Sequence, residues 1–216
     1  KEIDTAKEDI KLNIKCLIIN GPKTEFSQAE LYKIDQFIMK GGNILFCLDP
    51  LVESMENGPN APSSYNAPQT GLEALLASYG IKPGANYVMD ENCYVDRQGQ
   101  NAKLNWAPVV MQKQLDQKNP VTKYISGMIF LQNGSIDISA ASQNPDLKAT
   151  VLARSSQKSW EASGNIILYP GYIFPPQDEN AFGEKPLAVL VEGKFTSAFA
   201  DKEEEKSEAP FSTKEK

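Results

Sequence analysis

Lys15-Cys16-Leu17-Ile18-Ile19-Asn20-Gly21-Pro22, then Phe26-Ser27-Gln28-Ala29-Glu30, then Gly41-Gly42-Asn43-Ile44-Leu45-Phe46-Cys47-Leu48-Asp49-Pro50, is the stretch from which the fold is read. The first and last runs are apolar along nearly their whole length, which predicts strands buried on both faces, the pattern of a parallel sheet. Between them, Ser27-x-x-Glu30 is a capping box, and Leu31, Ile34, Phe37 and Ile38 recur at helical spacing up to the Gly41-Gly42 stop. Strand, capped helix, glycine stop and strand make one right-handed βαβ unit, with a helix over Gln28–Lys40.

Working outward, Leu72, Leu75, Leu76 and Tyr79 predict a second helix ended by Gly80, leading to a third sheet strand at Tyr87-Val88-Met89. Residues 53–70 are rich in Pro, Asn, Ser and Gly and read as either a lid or a disordered loop. Tyr94-Val95 and Ala102-Lys103-Leu104 flank Arg97-Gln98-Gly99 and predict a hairpin arm. A short helical turn is expected from Pro120. Further strand candidates are Met128–Leu131, Ser135–Ser139, Ala149–Ala153 and Leu187–Val191, with Asn133-Gly134 as a turn between the first two. The expected organisation is a linker over 1–11, an α/β domain over 12–200 and a flexible charged tail over 201–216, because Asp201-Lys-Glu-Glu-Glu-Lys lacks apolar anchors. The fold class expected is α/β, a mainly parallel sheet flanked by helices with a β-rich hairpin appendage.

The chain has 216 residues, 22 Lys and Arg against 28 Asp and Glu, a net charge of −6, and no histidine. Without an imidazole no Ser-His-Asp or Cys-His relay is possible. A sequence pI of about 4.9 and the absence of a basic stripe argue against nucleic acid as a partner. Cys16, Cys47 and Cys93 form no C-x-x-C; the first two sit in apolar runs and read as packed small hydrophobes, with a Cys16–Cys47 bridge as the other reading. There is no apolar run of the ~18 residues needed to span a bilayer. The sequence opens on Lys1 and reads as an excised or mature soluble piece.

Candidate site residues follow from position. Asn20-Gly21-Pro22 and Asp49-Pro50 terminate neighbouring strands, and ligands of open α/β sheets bind outside the strands' carboxyl ends. Asn20, Gly21, Pro22, Asp49 and Asp90 are therefore the expected ligand- or partner-binding edge, with Lys23 beside it. The same dipeptides also serve simply to turn the chain. Asp49, Asp90, Glu91 and Asp96 are oxygen donors suited to a hard cation, although no D-x-D-x-D-G spacing supports one. Tyr169, Tyr172 and Phe174, set among Gly164, Gly171 and Pro176, read as a peptide or glycan platform or as a loop covering the core. No G-x-S-x-G or phosphate loop is present, so neither a catalytic residue nor a cofactor is expected.

Leu17-Ile18-Ile19-Asn20-Gly21-Pro22-Lys23, the Phe26 to Gly42 helix segment, and Leu45-Phe46-x-Leu48-Asp49-Pro50 together resemble a known family. Leu75-Leu76-Ala77-Ser78-Tyr79-Gly80-Ile81, Asn119-Pro120-Val121-Thr122 and Pro186-Leu187-Ala188-Val189-Leu190-Val191-Glu192-Gly193-Lys194-Phe195 continue the likeness over residues 12–200. The pattern is similar to the auxiliary component of an uncharacterised, gliding-motility-associated ABC-type transport system. The resemblance implies a flavodoxin-like or class I glutamine-amidotransferase-like domain, held on the extracytoplasmic, periplasmic side of the inner membrane between transmembrane helices. Its implied partners are an ABC permease and ATPase, with a small molecule or glycan as possible ligand. The amidotransferase Cys-His pair has no counterpart without histidine. A non-catalytic interaction or ligand-sensing domain is the first reading, and a carboxylate- or metal-dependent hydrolase, acting for instance on glycans, is the alternative.

Overall fold

A computed structural model describes residues 2–54, 64–98, 101–164 and 166–200. The elements run β1 (Leu17–Asn20), α1 (Gln28–Met39), β2 (Ile44–Cys47), β3 (Val52–Ser54), β4 (Ser64–Asn66), α2 (Leu72–Ser78), β5 (Lys82–Pro83), β6 (Tyr87–Asp90) and β7 (Cys93–Asp96). They continue with β8 (Ala102–Met111), β9 (Gly127–Ile129), β10 (Ile136–Asp137), α3 (Ser139–Gln143), β11 (Leu147–Arg154), β12 (Ser159–Ala162) and β13 (Pro186–Gly193).

The expected β1-α1-β2 unit is present. β1 and β2 are parallel, with Ile18 beside Leu45 and Asn20 beside Cys47. α1 starts on the capping box: the Glu30 N–H donates to Ser27 Oγ (3.3 Å), and the Ser27 N–H donates back to Glu30 Oε2 (2.9 Å). α1 and α2 cover one face of the strand pair, where Ile19, Leu31, Ile34, Leu72, Leu75, Leu76 and Tyr79 form the first core.

The mainly parallel, flavodoxin-like sheet is not what the chain builds. Among the described residues there are six small sheets, and β1–β2 is the one parallel pairing. β3–β4, β5–β10, β6–β12, β11–β13 and the three-stranded β7-β8-β9 sheet are all antiparallel. Connectivity accounts for the local pairs. Parallel neighbours need a crossover of about a dozen residues or more, usually helical. Such a crossover, containing α1, separates β1 from β2, whereas the short connection from β7 to its partner β8 leaves room for a hairpin alone. The third strand is found where predicted, yet it pairs antiparallel with Ser159–Ala162, a segment that carried no strand expectation. Nor are β1 and β2 buried on both faces: Ile18 is 61% and Leu45 50% exposed, and Cys16 and Cys47 are exposed free thiols rather than packed hydrophobes.

β6 pairs with β12 and lies between two cores. Its alternating side chains feed two cores: Tyr87 and Met89 pack with Leu51, Trp106 and Trp160, and Val88 packs with Val110, Leu115, Ala153 and Leu187. The antiparallel hairpin expected around residues 94–104 is β7–β8. The expected tail and half of the 53–70 loop, residues 55–63, lie outside the described residues.

Both flanks of the described chain meet α1. Thr5 Oγ1 donates to Glu30 Oε1 (2.8 Å), and Lys33 Nζ donates to the Thr5 carbonyl (2.9 Å). From the other side, Ser197 Oγ donates to Asp35 Oδ2 and the Ala198 N–H to Asp35 Oδ1, both at 2.8 Å. Phe195 meets Tyr79 edge-on and Phe199 meets Tyr32 likewise. Asp35 is fully buried and also accepts from Tyr79 Oη at 2.7 Å.

Two consequences are measurable. Hydrogen bonds from the Ser27 hydroxyl, the Ser27 N–H and the Thr5 hydroxyl hold the Glu30 carboxyl below its ordinary range. A depressed carboxyl stabilises the fold fully above its unfolded pKa and loses that contribution as pH falls through the folded value. Ser27→Ala is expected to cost about 1 kcal/mol in urea unfolding at pH 7, and the gap to wild type to narrow below the ordinary glutamate range. Gly80 has φ +79°, and a β-carbon there would lie 2.5 Å from the Ala141 amide nitrogen, whereas Gly164 at φ +78° has open space. Gly80→Ala should therefore lose about 3 kcal/mol against about 1 kcal/mol for Gly164→Ala by the same measurement.

Candidate functional site

The strand ends bring together Asn20, Gly21, Pro22 and Asp49 of the expected edge. The Gly21 N–H donates to the Cys47 carbonyl at 2.7 Å, extending the β1–β2 ladder by one bond. A β-carbon on Gly21 would lie 3.3 Å from Asp49 Oδ2, so the carboxylate sits directly over the glycine. Lys23 Nζ caps the same oxygen as an ion pair, with side chains 55% and 47% exposed. A pair that exposed contributes about 1 kcal/mol or less. The rim is thus a wet, nearly neutral surface with unused hydrogen-bonding capacity on Asn20.

Asp90 does not join it. Its carboxylate is fully buried at the end of β6, and its oxygens accept from the Asn92 N–H (2.8 Å), the Ser156 N–H (2.7 Å) and the Ser156 hydroxyl (2.6 Å). This carboxylate folds the 90–92 turn and ties it to the residues before β12. Glu91 beside it pairs instead with Lys158 at 2.9 Å. Among the described residues no group of three or more Cys, Asp or Glu side chains is placed to hold a metal ion.

A second surface lies between the β7–β8 hairpin and the segment before β13. The Tyr172 N–H closes a turn onto the Tyr169 carbonyl at 3.1 Å, and the two rings meet edge-on at 5.8 Å. The turn holds out Ile167, Tyr169, Tyr172 and Phe174, which are 54%, 61%, 64% and 77% exposed. An open groove of about 940 Å³ runs beside it, with Asp96, Lys103 and Asn105 on one wall and Tyr169, Ile173 and Pro175 on the other. Of the two readings of this segment, each holds for part of it: the aromatics Tyr169, Tyr172 and Phe174 face solvent, whereas the aliphatic Ile166, Leu168 and Ile173 pack on the second core.

Burial shifts two titratable side chains of the interior toward their protonated forms. Burial pushes Tyr87 up to about 12, with the nearby Tyr65, Asp49 and Glu53 charges adding to it. Burial likewise raises the Cys93 thiol, opposed by Lys103 and assisted by Asp90, which keeps it protonated and unreactive near neutral pH. Asp35 went unnoticed in the sequence. Its signal was there: it occupies the i+4 position of the Leu31, Ile34, Ile38 stripe, where an acid must be buried with donors.

The geometry defines a class before any likeness is considered: a β-rich domain with large apolar side chains exposed at residues 167–174 and with Asp35 and Asp90 committed to internal hydrogen bonds. The chain matches, over residues 1–216, the family described as an ABC-type uncharacterized transport system, and it belongs to that family as an auxiliary component of such a system. A curated relative is an uncharacterized protein of Borreliella burgdorferi (strain ATCC 35210 / DSM 4680 / CIP 102532 / B31), 27% identical over 210 residues. That match takes in 93% of this chain but 40% of the relative, so the chain spans about two-fifths of the relative's length. Among solved structures, the mmIFT52 N-terminal domain aligns at a TM-score of 0.49 and 16% identity, covering 76% of this chain and 65% of that one. Among the described residues no helix is long and apolar enough to cross a membrane.

The two acids separate in stability. Asp49→Ala is expected to change unfolding free energy by about 1 kcal/mol or less. Asp90→Ala strands three donors in a buried site and should cost about 3 kcal/mol or more in chemical denaturation. Equal losses would contradict the division between surface rim and internal strut.

Proposed function

We propose that this chain is a non-catalytic binding domain of its transport system, working on the extracytoplasmic side of the inner membrane as part of a longer, membrane-anchored polypeptide. The observation that carries the reading is the exposed Ile167, Tyr169, Tyr172 and Phe174 set beside the polar-walled groove. Large apolar side chains gathered in solvent mark interaction surfaces, and tyrosine supplies much of the binding energy at such surfaces. Its natural partner is the permease of the same ABC system, with the ATPase engaged through that permease. The resemblance of the Gly41-Gly42 and Leu48-Asp49-Pro50 segments to gliding-motility-associated members supports a system of that kind.

The hydrolase alternative has less support. Asp35 and Asp90 each accept three or more hydrogen bonds in the interior, and a base engaged in that way has no lone pair directed at a substrate.

Tyr172→Ala/Phe174→Ala in the full-length protein is expected to lower recovery of the permease from detergent-solubilised membranes by about tenfold or more. The melting temperature should hold, since substitutions at exposed sites shift stability by about 0.5 kcal/mol or less. Undiminished permease recovery would overturn this surface as the contact.

A further inference from the structure

The turn built on Asn119-Pro120-Val121-Thr122 has no part in either surface described above. Its conformation is fixed from within. The Val121 N–H donates to Asn119 Oδ1 (3.0 Å), the Lys123 N–H to the Asn119 carbonyl (2.9 Å) and the Thr122 hydroxyl to the Asp116 carbonyl (2.6 Å). Thr122 is buried and Ile125 packs on the core around Val110, so the turn presents Val121, Lys123 and Tyr124 to solvent. Tyr124 is 86% exposed, the most exposed of the large hydrophobic side chains among the described residues. The next strand continues the surface. Gly127, three residues after Tyr124, lies opposite Met111, and Ile129 lies opposite Val109. Side-chain alternation therefore puts Met111 and Ile129 on one face of the β8–β9 pair, with Leu131 two residues on, and all three are exposed. Val110, on the other face, is fully buried.

The charge of this segment opposes that of the chain. Between Met111 and Leu131 stand three lysines, Lys113, Lys118 and Lys123, and one acid, Asp116, in a chain of net charge −6. All three lysines are exposed, and none forms an ion pair among the described residues. Lys123 Nζ instead lies 4.6 Å from the centre of the Tyr124 ring. Lysine is depleted where one protein buries apolar side chains against another. At a bilayer interface the same combination is favourable: tyrosine sits at headgroup level, aliphatic side chains enter the acyl boundary, and lysine stems lie along apolar surface with the ammonium groups at the phosphates. We propose that the Met111–Leu131 segment docks peripherally on an anionic phospholipid bilayer, with Val121, Tyr124, Ile129 and Leu131 entering the interface and Lys113, Lys118 and Lys123 meeting the lipid phosphates. This surface is distinct from the Tyr169–Phe174 segment, so the proposal does not rest on the permease reading.

The test uses the full-length protein reconstituted in nanodiscs, with Tyr124→p-benzoylphenylalanine as the photo-crosslinking position and mass spectrometry of the labelled peptide as the readout. In discs of phosphatidylcholine and phosphatidylglycerol in equal parts, that peptide should carry phospholipid adducts. The yield should fall about tenfold or more in discs of phosphatidylcholine alone, because each lysine near an anionic surface contributes roughly fivefold in affinity. Combining Lys113→Gln, Lys118→Gln and Lys123→Gln should lower the yield as far in the mixed discs, with the urea midpoint and permease recovery unchanged. The comparison of the two lipids needs no lysine substitution, so it decides the matter even if that variant folds poorly. Protein adducts at position 124 in place of lipid, equal yields in the two kinds of disc, or no adduct at all would overturn the proposal. Loss of permease recovery in a folded lysine variant would make the occupant a protein and overturn it too.

Discussion

A carboxylate without a cation holds the first core together. Asp35 projects from α1 into the interior, where its charge is met by the Tyr79 hydroxyl at the end of α2 and by the Ser197 hydroxyl and Ala198 N–H of the returning chain. A buried anion is tolerated when donors replace its hydration, and the donors here come from two separate segments, the end of α2 and residues 197–198. Burial together with this acceptor raises the Tyr79 phenol, so the hydroxyl remains a donor at any physiological pH. Remove the carboxylate and the alignment of α1, α2 and residues 195–199 loses its common point. The one-sided burial of β1 and β2 depends on that alignment.

Asp90 repeats the device elsewhere. It closes the turn after β6 and fastens it to Ser156, so the strand that separates the second and third cores is pinned at its end. Ser155 and Ser159 extend the polar seam, their hydroxyls 2.5 Å apart, with Ser159 Oγ donating to the Gly183 carbonyl. Interior hydrogen bonds of this kind specify one arrangement of small sheets that hydrophobic burial alone leaves free to slip.

The contrast explains what the sequence disclosed. The Ser27-x-x-Glu30 box and Gly41-Gly42 stop are local chemistry, and the β1-α1-β2 unit they delimit is where they say. The β7–β8 hairpin is equally local. Strand direction is not: β6 meets β12 some 70 residues on, and a four-residue apolar run carries no mark of the direction in which it will pair. Asp90 at a strand end looked like a solvated ligand, because sequence position says nothing about Ser156, which buries it. Asn20, Gly21, Pro22 and Asp49 were legible as neighbours since a parallel register places their strand ends side by side.

The anchoring of residues 5–8 and 195–199 on one helix gives the domain a mechanical character. Thr5 and the Glu8 carbonyl hold Glu30 and Lys33, while Ser197 and Ala198 hold Asp35, all within two turns of α1. Tension applied through the flanking polypeptide is therefore borne across α1 as a short span, and the sheets carrying the Tyr169–Phe174 segment lie outside the line of load. Such a domain can be displaced as one body by a pull on its flanking segments without distorting the surface formed by residues 167–174.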